Sequence, residues 1–116
     1  MSVTSDLVTQ RANAGGRVYA MGTVPASPQY PYTVIGYSPN APLVRDLGGS
    51  GDPLRRFTAQ HFGHTADSVE AVAAATFAAF DGKQVAGAVC EQEIATPLFR
   101  DPDDAGVLST THTYRF

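Results

Sequence analysis

One segment of the sequence carries a strong helix signal, and alternating segments flank it on both sides. In residues 67–82 apolar residues recur every three or four positions, which predicts a helix with one buried face. Asp67 precedes Glu70 by three residues, a spacing that predicts a capping box, and Gly82 is placed to end the helix. The residues predicted to share the buried face are Val69, Val72, Ala73, Thr76, Phe77 and Phe80.

Five segments have the composition or the alternation of β-strands. They are residues 17–23, 32–38, 54–64, 88–99 and 107–116. The turn-forming stretch 101–106 joins the last two, so they predict a long β-hairpin. A short, polar helix is predicted at 3–13, capped by Ser5 or Asp6. The order predicts an α+β fold, in which one main helix packs on a mostly antiparallel sheet.

Length and charge narrow the classes of function. The chain has 116 residues, which predicts a single domain over 1–116. Its 8 basic residues are scattered among 11 acidic ones, and a net charge of −3 argues against binding to nucleic acid phosphates. One cysteine excludes an internal disulfide, and no apolar run approaches the length of a membrane span. Without a leader signal, we expect a soluble protein that folds in a reducing cytoplasm.

No candidate metal motif is complete. His61 and His64 are three residues apart, which places them on opposite faces of a strand, and one cysteine cannot complete a zinc set. Asp101, Asp103 and Asp104 have the start of a calcium loop. However, Ala105 stands at a ligand position, and His112 stands where the closing glutamate belongs. We therefore expect a hairpin turn there and no metal.

Candidate catalytic residues are equally sparse. Cys90 lies within a predicted strand, where a buried, inert thiol is the usual outcome. Glu91 and Glu93 lie on the same face of that predicted strand, opposite the face with Gln92 and Ile94. Two neighbouring carboxyl groups could act as a general acid and a general base. An alternating polar face explains them equally well, so we expect neither catalysis nor a cofactor.

Exposed sheet edges and aromatic residues instead favour assembly. A small sheet has two edges that need a cover or a partner. Seven of the eight basic residues are arginine, and aromatic and arginine residues are enriched at interfaces. The aromatic residues of the central strands and their flanks are Tyr30, Tyr32, Tyr37, Phe57 and Phe62.

Two short motifs carry a family resemblance. Arg17, Val18 and Tyr19, followed by a proline-rich loop and by residues 31–36 (Pro-Tyr-Thr-Val-Ile-Gly), resemble the opening of the tail terminator, or tail completion, proteins of long-tailed bacteriophages. Residues 109–116 resemble the last strand of that family, and the order of elements agrees over 17–116. The resemblance implies a virion protein at the tail–neck junction, assembled in the host cytoplasm. It implies a homo-hexameric ring that caps the tail tube, ends tube polymerisation and contacts the head-side connector.

Three segments are predicted to make the contacts of such a ring. Loop 39–53, with Arg45 and Asp46, is predicted to reach a neighbouring subunit or the connector. Arg55 and Arg56 are predicted to pair with acids across a subunit boundary, and the candidate acids are Glu91 and Glu93. The turn with Asp101, Asp103 and Asp104 is predicted to project towards tube protein or connector. An acidic ring would let genomic DNA pass without specific binding.

Three alternatives stay open at this stage. The protein could be another neck component, such as a head-closure or connector protein. It could be a small ligand-binding α+β module with a pocket on the aromatic sheet face, or a small enzyme that uses Glu91 and Glu93.

Overall fold

The structure is a computed structural model, and it describes residues 2–38, 55–104 and 106–116. The prediction for loop 39–53, with Arg45 and Asp46, therefore lies outside the described residues. In chain order the elements are α1 (Val3–Ala12), β1 (Arg17–Ala20), β2 (Tyr32–Ser38), β3 (Arg56–Gly63), α2 (Ala66–Phe80), β4 (Gln84–Val85), β5 (Ala88–Val89), β6 (Glu91–Ala95), β7 (Phe99–Arg100) and β8 (Leu108–Arg115). This order confirms the predicted α+β fold. In the described ranges neither helix is long and apolar enough to cross a membrane.

The main sheet has the strand order β1-β2-β3-β8-β6, and β7 also pairs with β8. Only β1 and β2 run parallel; every other pair in this sheet is antiparallel. Strands β4 and β5 form a separate two-stranded hairpin. Among the described residues, β1 and β6 therefore end the main sheet.

The predicted C-terminal hairpin is confirmed, but its first strand, predicted at 88–99, is interrupted. It forms β5, β6 and β7, and its register against β8 shifts between Gln92 and Ile94. Before the shift, Cys90 exchanges backbone hydrogen bonds with Lys83 and Gly82 on the turn that follows α2. Pro97 then separates β6 from β7, because proline has no N–H to donate to the ladder.

Helix α1 begins at residue 3 as predicted, but both helices are capped by residues that precede the predicted caps. The Ser2 hydroxyl accepts from the Ser5 N–H at 3.0 Å, so Ser2 caps α1. Thr65 caps α2 in a reciprocal capping box with Ser68, whose N–H donates to the Thr65 hydroxyl at 3.1 Å. Asp67 instead lies within the first turn of α2, where its negative charge interacts favourably with the helix dipole.

The end of α2 agrees with the prediction. The helix ends at Phe80, and Gly82 follows with a φ of 73°, a conformation that glycine adopts without strain. One residue of the predicted buried face is misplaced: Phe77 is 45% exposed. The buried positions of α2 are Val69, Ala73, Thr76 and Phe80.

The hydrophobic core lies between the two helices and one face of the sheet. At its centre, the Phe57 ring packs against Phe80 with 4.8 Å between ring centroids, and it stacks on Tyr114 at 5.2 Å. Leu7 of α1 and Ile35 of β2 are fully buried in the same cluster. Burial of each of these side chains stabilises the fold by roughly 1.5–3 kcal/mol.

Arg11 joins the two helices from inside the protein. Its guanidinium is buried and donates to the Thr76 hydroxyl at 2.7 Å, the Gly15 carbonyl at 2.6 Å and the Val72 carbonyl at 3.3 Å. Desolvation lowers the pKa of Arg11 from its ordinary value. Since these partners are neutral, Arg11 fixes helix packing through hydrogen bonds.

Candidate functional site

The strand register defines a sheet face that neither described helix covers. Directly paired residues lie on the same face, and α1 and α2 pack on the face that carries Ile35, Phe57 and Tyr114. We call the opposite one the open face. Four rows of residues cross it: Arg17, Tyr32, Phe62, Ser109 and Phe99; Tyr19, Val34, Gln60 and Thr111; Gly36, Thr58, Thr113 and Ile94; and Ser38, Arg56, Arg115 and Glu91.

The fourth row holds a network of alternating charges. The Arg56 Nη2 atom lies 2.6 Å from Glu93 Oε1, and Arg115 contacts Glu91 at 3.1 Å and Glu93 at 3.9 Å. Glu93 reaches this row because the register shift opposes two residues of β6, Glu93 and Ile94, to one residue of β8. The four charges sum to zero.

The sequence predicted that Arg55 and Arg56 pair with acids across a subunit boundary. Arg56 does pair with Glu93, as the charges suggested, but the pair forms within one chain. Arg115 was not among the predicted site residues, and β8 pairs it directly with Glu91 of β6. Arg55 lies over the Phe116 ring, 4.6 Å from its centroid. That Arg55, Arg56, Glu91 and Glu93 belong to an interface stays a prediction.

The first row is continuous with an aromatic cluster, defined as Tyr19, Tyr30, Tyr32, Phe62 and His64. Tyr32 is its centre: the centroid of its ring lies 4.9 Å from that of Phe62, 5.2 Å from that of Tyr30 and 5.8 Å from that of Tyr19. Burial and the neighbouring Tyr30 raise the pKa of Tyr32. The His64 ring lies 4.3 Å from that of Tyr30, and its Nδ1 lies 3.0 Å from the Gly106 carbonyl. These rings pack on one another and join the loop before β2 to the turn before β8.

Two open cavities in the described part of the chain lie towards the β1 side of the sheet. One, of about 220 Å³, is lined by residues that include Met21, Gly36 and Thr58. The other, of about 400 Å³, lies between α1 and β1 and is lined mainly by hydroxyl and small apolar side chains. Tyr19 is the one member of the aromatic cluster in the linings of these two cavities.

The turn at 101–106 holds itself together with its own carboxylates. Asp101 accepts from the Asp103 N–H at 2.8 Å, and Asp104 accepts from the Gly106 N–H at 3.0 Å. The Asp101 N–H donates to the Val107 carbonyl at 2.8 Å, which closes the base of the turn. Across the residues that the structure describes, no three His, Cys, Asp or Glu side chains are grouped as a metal ion requires. The projection of this turn towards a partner stays a prediction.

Two histidines lie together on the covered face of the sheet. His61 Nδ1 lies 3.0 Å from the Thr33 hydroxyl, and the His61 ring lies 5.1 Å from that of His112. Desolvation, with smaller contributions from His112 and Arg11, lowers the pKa of His61 to about 3. Burial also lowers the pKa of His112. Both rings are therefore neutral at pH 7.

The remaining candidates for chemistry are occupied or shielded. Cys90 is fully buried, and desolvation raises the pKa of its thiol to about 12, so the thiol is protonated at pH 7. Glu91 and Glu93 are engaged in ion pairs with arginines. Among the described residues, these candidates therefore contribute ion pairs and packing to the sheet.

Comparisons with known proteins identify the fold. No protein-family model matches the chain, and no curated protein matches it. Among solved structures, a chain of the "Virion of native gene transfer agent (GTA) particle" is similar with a TM-score of 0.60 and 18% identity, over 97% of this chain and 90% of that chain. A second solved structure has a TM-score of 0.56 and 19% identity, over 96% and 87% of the two chains. At these identities the likeness shows a shared fold over nearly the whole chain.

Proposed function

We propose that this protein is a structural component of a phage-like virion and acts there as a tail terminator. The observation that carries the proposal is the likeness of nearly the whole chain to a chain from the virion of a gene transfer agent particle. That neighbour supports a virion role in general. The more specific role rests on the resemblance of residues 17–19, 31–36 and 109–116 to tail terminator proteins.

In this proposal six copies form a ring on the finished tail tube. The ring ends tube polymerisation and presents a surface to the head-side connector. Two features fit such a role: β1 and β6 end the sheet in the described part of the chain, and the acidic turn with Asp103 and Asp104 is exposed. The proposed partners are other copies of this chain, the tail tube protein and the connector or head-closure protein.

Charge supports the idea that DNA passes the ring without being held. Protein–DNA affinity depends on lysine and arginine side chains that neutralise phosphates. Arg56 and Arg115 on the open face already pair with Glu91 and Glu93, and the chain carries a net charge of −3. The proposal involves no catalysis and no cofactor.

Deletion of the gene from its parent genome tests the role. Negative-stain electron microscopy of the lysate should show overlong tails without heads, and a plasmid copy of the gene should restore normal particles. Tails of normal length that are separated from full heads would overturn the terminator role and assign the protein to the connector side of the neck. Intact, infectious particles would overturn the virion role altogether.

A further inference from the structure

We propose that the two end strands of the sheet meet in neighbouring copies of this protein, with Ile94 of one copy packed against Met21 of the next. The inference rests on the proposed function, because it names the surfaces through which the ring would close. It is argued from the third row of the open face, whose two ends are apolar.

Ile94 forms one end of the third row. It lies on the end strand β6, directly opposite Thr113 of β8, and it is 56% exposed although it is a large aliphatic residue. The register shift in β6 turns Ile94 onto the open face; an uninterrupted strand would place Glu93 there and Ile94 on the opposite face. The bulge thus brings an apolar side chain to the strand that ends the sheet in the described part of the chain.

Met21 lies beside Gly36, at the other end of the third row. It follows β1 directly, its N–H donates to the Ile35 carbonyl at 2.9 Å, and it is 64% exposed. Its Cε atom lies 2.8 Å from the position that a Cβ on Gly36 would take. Met21 can therefore lie over Gly36 because glycine has no side chain. This packing places the methionine side chain on the open face.

The strand directions make the two ends compatible. Strands β1 and β2 run together, and each later step through β3, β8 and β6 reverses direction, so β6 is antiparallel to β1. Two copies placed side by side, with their open faces on the same side, bring β6 of one copy next to β1 of the other as antiparallel neighbours. Antiparallel edges are compatible with direct strand contact.

The first row adds a second match at the same junction. Arg17 is exposed at the β1 end of that row, and Phe99 is exposed at the β7 end. Side-by-side copies would place a guanidinium near an aromatic ring, an attractive pairing. Because each copy uses two different edges, the contact is head-to-tail, and such contacts generate closed rings or open filaments.

Cysteine cross-linking tests the contact. The double variant Met21→Cys, Ile94→Cys is supplied from a plasmid to cells that lack the parent gene, and the purified particles are oxidised with copper-phenanthroline. The two cysteines cannot join within one chain, because four strand spacings of about 4.8 Å separate them. Cys90 does not interfere, because it is fully buried. We expect a ladder of cross-linked multimers on a non-reducing gel that ends at the closed ring.

The single variants serve as controls and should give no ladder beyond traces of dimer. The double variant Met21→Cys, Phe77→Cys is the matched control. It retains the cysteine at position 21 and moves the second cysteine from position 94 to an exposed position on α2. A ladder from that pair, or efficient dimers from either single variant, would overturn the Ile94–Met21 contact.

The experiment separates this inference from the proposed function. Particles that contain the chain but give no ladder with Met21→Cys, Ile94→Cys would overturn the edge contact and leave the virion role intact. Particles that lack the chain would overturn the virion role. In that case the same oxidation of the concentrated, purified chain decides the edge contact: a ladder supports it, and the absence of a ladder overturns it.

Discussion

The Nη2 atom of Arg56 lies 2.6 Å from the Oε1 atom of Glu93, although strand β8 separates the strands that carry them. Their side chains are only 24% and 18% exposed, so this ion pair is more shielded than the neighbouring pair Arg115–Glu91, at 45% and 58%. Shielding from water strengthens the attraction between the two charges, and the loss of one partner leaves a charge that is poorly solvated.

A double-mutant cycle with Arg56→Gln and Glu93→Gln should show this coupling. We expect each single variant to lower the free energy of unfolding by about 1–2 kcal/mol and the double variant to lose little more, a coupling of about 1 kcal/mol. Urea denaturation is the measurement. Neutral substitutions are preferable to charge reversal, because an arginine at position 93 would face Arg115.

The exposed pair of the same network is the matched control for that cycle. The cycle of Arg115→Gln and Glu91→Gln should show a coupling below about 0.5 kcal/mol. Equal coupling in the two cycles would contradict the assignment of extra stability to the shielded pair.

The buried histidines predict a loss of stability in mild acid. The pKa of His61 is about 3 in the folded protein and near 6.5 when unfolded, so the unfolded state binds the proton first. The stabilisation is complete above pH 6.5 and is lost as the pH falls towards 3. His61 alone should cost about 2 kcal/mol by pH 5, and His112 shifts in the same direction. Urea denaturation at pH 7.5, 6 and 5 measures the loss.

Two substitutions locate the source of that pH dependence. His64 lies at the surface, so His64→Gln should keep the loss between pH 7.5 and 5. His61→Gln should flatten it, whatever its stability at pH 7.5. An unchanged pH dependence in His61→Gln would assign the effect to other groups.

At Arg11, we expect the conservative substitution by lysine to destabilise the fold more than substitution by methionine. Arg11→Lys keeps a buried charge but cannot reach the Thr76, Gly15 and Val72 acceptors together, so it should cost about 3 kcal/mol. Arg11→Met removes both the charge and the hydrogen bonds and should cost less, about 1–2 kcal/mol. Thermal and urea unfolding of both variants test this order, and Arg17→Met is the exposed control. A milder effect of lysine than of methionine would mean that the positive charge itself is needed.

The first turn of α2 offers a direct comparison of two capping residues. Thr65→Ala should cost about 1 kcal/mol, because the Ser68 N–H loses its acceptor. Asp67→Ala removes only a favourable interaction with the helix dipole, so its cost should stay at or below about 0.5 kcal/mol. Circular dichroism during urea unfolding measures both costs. A larger cost for Asp67→Ala than for Thr65→Ala would mean that Asp67 is the cap, as the sequence predicted.

The kinds of element could be predicted from the sequence, but their ends could not. The period of apolar residues in α2 and the alternation in β3 are properties of the chain alone. The N-cap of α2 depends on which of several neighbouring polar residues is extended, and Thr65, Asp67 and Ser68 all have suitable side chains. The backbone conformation of each residue decides which one is the cap, and that conformation cannot be read from the composition.

The candidate site shows the same division. Arg56 and Glu93 were chosen for their charge, and they do pair, but the sequence contains no strand order. Strands β3 and β6 flank β8 in the sheet, and this strand order lets the two side chains meet across β8 within one chain. The bulge that turns Ile94 onto the open face is likewise invisible in a pattern that alternates without a break.

The position of β8 also has a consequence for synthesis on the ribosome. This strand lies between β3 and β6, yet it is translated after both of them. Until residues 108–115 emerge, Phe57 and Phe80 lack the Tyr114 ring that completes their packing, and β3 keeps one open side. A nascent chain is therefore exposed to aggregation at that stage. A copy whose translation stops before residue 108 lacks β8, and β3 and β6 then have no strand between them.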